Sequence, residues 1–271
     1  MSQWIPVSNQ EHQHYAWRRQ AHYQHAATAA VAPVVLAELT ELLPEFPLAF
    51  AITAQHTSEQ QSAFQLVALQ GLRQNENQLL NADHTRWKTR YIPACFRTHP
   101  FKLLRETNSG QMLLCMDQHS DALIEQGQSG DIQLFNHLGQ LSPEIQQIAD
   151  FLRAWEQSRQ LTQALTDQLV SADLLQAWAI QLTQPDGSTL PVQGLYRVNE
   201  AALRNLDAQT LQSITQSGAA SLVYAQLLSQ TRLKNLEALY NQQNAAALQE
   251  QQQEVNLDQL FGESDDDLFR F

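Results

Sequence analysis

Apolar and polar positions along this chain follow two periods, and the change from one to the other falls near residue 142. Upstream, the apolar runs are short and bounded by polar segments. FPLAFAIT (46–53), FQLVALQGL (64–72), QMLLCMD (111–117) and DIQLF (131–135) have the length and composition of β-strands. The connections between them are too short for repeated helical crossovers, so mostly antiparallel pairing is expected. In VVLAELTELL (34–43), Glu and Thr interrupt the apolar positions at helical spacing, which predicts a short helix. Pro44 and Pro47 then mark a turn. Asn81–Thr85 reads as another turn, leading into a strand over 86–92 where Arg86, Lys88 and Arg90 alternate with Trp87, Thr89 and Tyr91. That alternation places three bases on one strand face.

At Ser142 the pattern becomes helical. Ser142 suits an N-cap, Pro143 the first helical position, and Glu144 the positive end of the helix dipole. Ile145, Ile148, Leu152 and Trp155, and then Leu165 and Leu169, follow at steps of three and four, predicting one long amphipathic helix to about Val170. AWAIQLT (177–183) and LPVQGLYRV (190–198) predict a β-hairpin turning at Pro185-Asp186-Gly187. Asn199 and Asp207 are N-cap candidates. Beyond Gly218, apolar positions from Leu222 to Tyr240 predict a second long helix or helix pair over 219–249.

The fold class expected is α+β, an N-terminal mostly antiparallel β-sheet packed with C-terminal helices, followed by an acidic C-terminal tail. A single domain is expected over 1–254, β-rich over 46–140 and mainly helical over 142–254, with a hairpin near 179–198. Residues 255–271 form the tail, in which two apolar knots, Leu257/Leu260/Phe261 and Leu268/Phe269/Phe271, flank the acidic spacer Gly262–Asp267. Such a short segment cannot bury its own aromatics, so Leu260, Phe261, Leu268, Phe269 and Phe271 are read as a linear recognition element.

Charge sharpens this picture. The net charge is −12, and residues 250–271 contribute −6 of it, with seven acids and one base. An acidic body is a poor match to a phosphate backbone, so no nucleic-acid partner is expected. No apolar run approaches the ~20 residues that span a bilayer. The first residues lack the basic and apolar regions of a signal peptide, so a cytoplasmic location is expected, with unconventional export to the surface as the alternative. Cys95 and Cys115 lie in apolar runs and are expected to be buried, reduced thiols.

Against this acidic background, 86–105 (RWKTRYIPACFRTHPFKLLR) holds six of the sixteen Lys and Arg residues, four aromatics and two prolines. Arg86, Trp87, Lys88, Arg90, Tyr91, Arg97, His99 and Lys102 are the candidate ligand- or partner-binding residues. The alternative is an exposed strand whose charges block edge pairing. His119-x-Asp121 is half of a two-His, one-carboxylate iron site. The next histidine, His137, follows too soon, and a polar turn is the favoured reading. His12, His14, His22 and His25 cluster near the start, but the spacing names no third ligand. No nucleophile elbow, Walker loop or dinucleotide fingerprint is present. No catalytic residue, metal or cofactor is assigned.

Several patches in order, LPEFPLAF, VALQGLRQNENQLLNADHTRWKTRYIPACFRTHPFKL, LLCMD, DGSTLPVQGLYRVNEAALRNL and SLVYAQLLSQTRLKNL, resemble the SapC family. The resemblance implies a surface-layer connection but carries no established site residues. Similar proteins are encoded beside flavin-dependent halogenase-like proteins and cupin-like oxygenases, which implies a shared pathway and a protein partner. The function expected is a non-catalytic accessory or binding protein acting with such a pathway on a peptide or protein. An enzyme with its site at 86–105, or a surface-layer structural protein, are the competing classes.

Overall fold

A computed structural model describes residues 3–19, 22–53, 63–107, 109–183 and 187–245 of the chain. It opens with β1 (Trp4–Pro6), the one-turn helix α1 (Asn9–His12) and β2 (Ala16–Trp17). β3 (Val31–Pro33) leads through a tight turn at Leu36–Glu38 into α2 (Leu39–Leu42), then β4 (Leu48–Thr53) and β5 (Ala63–Leu69). β6 (Phe101–Arg105), β7 (Met112–Asp117), β8 (Leu123–Ile124) and β9 (Ile132–Gln133) precede the long helix α3 (Pro143–Ser171). β10 (Leu175–Ala177), β11 (Ile180–Thr183), β12 (Thr189–Val192) and β13 (Leu195–Val198) follow. The described chain closes with α4 (Glu200–Arg204), α5 (Ala208–Ser217), α6 (Ala219–Ser229) and a last helix, α7, over 233–245.

The architecture is α+β, with antiparallel sheets and C-terminal helices. A five-stranded sheet in the order β10-β13-β4-β5-β3 forms the floor of the larger core. Its inner strands pair Leu48 with Ala68 and Phe50 with Leu66, and all four side chains are fully buried. Leu165, Leu169, Leu222, Val223, Leu236 and Tyr240 of the helices close this core. A smaller core lies under the sheet β1-β7-β6, where Phe101 and Met116 meet Leu134, Ile145 and Leu152. α3 has 29 residues, hence a length of about 43 Å. Its first half seals the smaller core and its second half the larger.

Two buried polar groups tie these layers. The Gln226 side chain on α6 accepts from the Val198 N–H (3.0 Å) and donates to the Leu48 carbonyl (3.2 Å). The buried Asn77 side chain donates to Ala26 and Gln70 and accepts from the Leu79 N–H. Buried polar groups satisfied in this way fix the register of what they join.

Strands β4, β5 and β7 and helix α3 lie where the hydrophobic pattern places them. Asn199 and Asp207 accept from the first turns of α4 and α5, and Gly218 takes the left-handed φ of 93° between α5 and α6. Ser142 occupies the N-cap of α3, but its hydroxyl makes no capping bond. The predicted hairpin is divided: β11 and β12 pair as a two-stranded ribbon, while β10 and β13 join the central sheet. Its turn falls partly on 184–186, and the tail 255–271 wholly, outside the described residues. Among the described residues, no helix is long and apolar enough to cross a membrane.

The strand expected over 86–92 is not formed. Trp87 makes a lone bridge to Leu80 and the rest of the segment is irregular. Its backbone donors go elsewhere: the N–H groups of Arg90 and Tyr91 both donate to the Glu45 carboxylate (2.9 and 3.1 Å), and that of Ala94 donates to Glu38 (2.9 Å). A strand ladder needs those same donors. Trp87 is 8% exposed and packs against Tyr23 and Phe96, so it belongs to the core and not to a basic strand face.

Candidate functional site

Glu38 is the residue that shapes the site. It is 4% exposed, at the turn before α2. Its carboxylate accepts from the N–H of Val35 (3.0 Å), the hydroxyl of Tyr91 (3.0 Å) and the N–H of Ala94 (2.9 Å). Glu38 and Glu45 together hold 90–94 against the larger core. From there the chain turns through Ala94–Phe96 and enters β6 on the smaller core.

The segment 94–103 thereby becomes one wall of a cavity of about 590 Å³ between the two cores. Trp4 of β1, the 22–25 stretch, the turn 119–121 after β7, and Leu152, Trp155 and Glu156 of α3 supply the others. Volume and mixed lining are those of a ligand pocket. The rings of His25 and His99 stack with centroids 4.0 Å apart and 5° between planes. His25 Nε2 lies 3.2 Å from the Phe96 carbonyl, and His99 Nε2 lies 3.2 Å from the Ser120 hydroxyl. The Lys102 ammonium sits 4.4 Å from the centre of the Trp4 ring, a cation–π contact.

Burial governs the electrostatics here. It lowers the His99 pKa to about 4, assisted by His25. It lowers that of His25 too, against the opposing pull of the Phe96 carbonyl. Burial and the Glu38 charge raise that of the Cys95 thiol. At neutral pH the imidazoles are therefore uncharged and the thiol protonated. The wall's acids have partners of their own. Asp117 accepts from the N–H groups of Gln3 (3.1 Å) and His119 (3.3 Å), Glu156 binds Arg159 (2.6 Å), and Asp121 faces His22 (3.3 Å). Lys102 has no ion-pair partner among the described residues. Trp155 Nε1 and His25 Nδ1, both buried, have no hydrogen-bond partner among the described residues.

A smaller cavity of about 240 Å³ adjoins this one and shares Thr98 with it. Trp17, Ile148 and Phe151 give it apolar walls, and Arg19, Arg97 and Glu144 stand around them.

The eight candidates in 86–105 are thus divided. His99 and Lys102 line the larger cavity and Arg97 the smaller. The Arg97 guanidinium stacks over Tyr91 at 4.3 Å and donates to the Ile92 carbonyl. Tyr91 is half-buried on Glu38, and Trp87 is in the core. Arg86, Lys88 and Arg90 are exposed and line neither cavity, and Lys88 donates to the Gln78 carbonyl (2.8 Å). The tail candidates Leu260, Phe261, Leu268, Phe269 and Phe271 lie outside the described residues.

Sequence reasoning missed the role of Trp4 and Trp155. Trp155, part of the apolar repeat that predicts α3, forms a wall of the cavity. It also left apart the early histidines and the His119-x-Asp121 turn, which meet at this cavity through His22, His25, His119 and Asp121. His12 goes elsewhere, buried and edge-on to Tyr15. Among the described residues, no three His, Cys, Asp or Glu side chains are placed to hold a metal ion together. Both cysteines are free. Cys115 is buried as expected, whereas Cys95 is only half-buried because the cavity opens beside it.

A family model described as SapC matches residues 7–236, and the chain belongs to the SapC family. Neither the curated proteins nor the solved structures gave a match.

Proposed function

We propose that this SapC-family chain is a non-catalytic binding protein whose larger cavity receives an apolar, acid-flanked segment of a peptide or protein partner. One observation carries the reading. A cavity of mixed lining with apolar walls, assembled from remote stretches of chain, presents Lys102, a cation without an ion partner among the described residues, on its wall. Desolvated anchors of this kind dominate binding energy, and a nearby charge steers encounter. The exposed Arg86, Lys88 and Arg90 supply a basic approach surface. The protonated Cys95 is the less reactive form of a nucleophile, which leaves the thiol a poor candidate for attack. The resemblance makes halogenase-like flavoproteins and cupin-like oxygenases the first partners to test.

The test is affinity capture from the native host with the full chain and with Trp155→Ala, Lys102→Glu and the surface control Leu138→Ala. A stoichiometric partner retained by the native and control chains, and reduced at least about tenfold by both cavity variants, supports the reading. A partner indifferent to both variants overturns it.

A further inference from the structure

The larger cavity, mixed in lining with Lys102 on its wall, and its smaller neighbour, with Arg19 and Arg97, each have apolar walls and share Thr98. The chain beyond the described residues has the complementary layout: two apolar knots, Leu257/Leu260/Phe261 and Leu268/Phe269/Phe271, joined by a six-residue spacer with four acids. We infer that residues 255–271 dock in cis on this paired site, one knot in each cavity, with the spacer acids facing Lys102, Arg97 and Arg19. A docked tail and an external partner then compete for the same cavity. The inference rests on the cavity being a peptide site.

Reach permits it. From 246 to 271 there are 26 residues, which extend to roughly 85 Å, whereas a folded chain of this size is roughly 50 Å across. Charge enters through Lys102, Arg19 and Arg97. Residues 255–271 carry −4, five acids against Arg270; of the larger cavity's acids, Glu156 is ion-paired with Arg159, while Asp117, held by the N–H groups of Gln3 and His119, and Asp121, facing His22, are opposing carboxylates there. Glu144, at the smaller cavity, is one opposing charge against Arg19 and Arg97. The exposed Phe151 and the half-buried Ile148 offer the apolar surface that a knot covers. Tethering raises the effective concentration of the tail to about the millimolar range, so even weak docking in cis is populated.

Only three lysines occur in the chain, Lys88, Lys102 and Lys234, which makes the test direct. Full-length protein is treated with a zero-length carbodiimide cross-linker, and the products are mapped by peptide mass spectrometry. An undocked tail reacts most with Lys234, which lies only 11 residues before the last described residue, 245. Docking predicts instead that bonds from Lys102 to Glu263 or Asp265–Asp267 exceed those from Lys88 and Lys234 by about tenfold. These bonds should stay in the monomer band at all dilutions, fall with added salt, and fall again in Phe261→Ala/Phe269→Ala. Lys102→Arg keeps the charge and removes the reactive amine, so it should delete this product alone. Preference for Lys234, or bonds found only between chains, overturns the inference. If tail bonds to Lys102 are absent while partner capture still depends on Trp155 and Lys102, the tail proposal fails and the peptide-site reading stands. If capture is also indifferent, both fail.

Discussion

Glu38 is the side chain whose loss tests most sharply how the site is built. Glu38→Ala removes three accepted hydrogen bonds, from the Val35 N–H, the Tyr91 hydroxyl and the Ala94 N–H. Both N–H bonds are buried, so their donors are left without a partner, whereas Tyr91 is only half-buried and can turn to water. An unsatisfied buried donor costs about 1–3 kcal/mol, and the lost charge-assisted bond to Tyr91 adds about 1 kcal/mol. Relief of the desolvated carboxylate offsets part of this. The net expectation is a loss of about 3 kcal/mol. In urea unfolding that lowers the midpoint by on the order of 1 M, from the usual slope for denaturant unfolding. Glu38→Gln keeps one acceptor oxygen and should lose about half as much. Amide exchange adds a local reading: the Ala94 N–H should lose protection in Glu38→Ala before the β4–β5 strands do. An unfolding midpoint within about 0.2 M of the native chain, with Ala94 still protected, would refute the claim that Glu38 holds 90–94 in place.

Gly71→Ala should lower the melting temperature by about 5–10 °C, because a Cβ there would lie 1.9 Å from the Glu76 carbonyl oxygen; an unchanged melting curve would contradict that close approach. Burial lowers the His99 pKa from 6.5 to about 4, so the unfolded chain binds a proton before the folded chain does. Stability should therefore fall as pH drops from about 6.5 to about 4 and level off below, with the slope in that window reduced in His99→Gln; an NMR titration placing His99 near 6.5 would refute the burial argument. Charge reversal at Arg86 and Arg90, both exposed, should weaken partner association several-fold while unfolding changes by less than ~0.5 kcal/mol. A large stability loss there would make the strip structural.

The elements legible in the sequence are those whose burial follows one period. α3 was readable because Ile145 and Leu152 repeat on one face of its first half and Leu165 and Leu169 on one face of its second, and all four are buried. β4 and β5 were readable because their short apolar runs are separated by a polar segment, with Pro47 before the first and Gly71 after the second. The 86–92 segment misled because its alternation of basic and non-basic residues mimics a strand. What decides its conformation is Glu38 and Glu45, about fifty residues earlier, which take its backbone donors. Part of 86–105 lines the larger cavity, through Cys95, Phe96, His99 and Lys102. The remaining walls were invisible to pattern reading. Trp4, His25, His119 and Trp155 meet only through the packing of β1, β7 and α3, and no spacing in the chain encodes their convergence.

The central claim is that the larger cavity receives a peptide segment. A photoreactive amino acid in place of Leu103, on the cavity wall, tests it against the same label in place of Leu138, which is 70% exposed. The account predicts that the label at 103 becomes covalently joined to one defined apolar, acid-flanked peptide, and that the label at 138 gives no such product. Products from 138 alone, or none from 103 in extracts where the partner is captured, would contradict it.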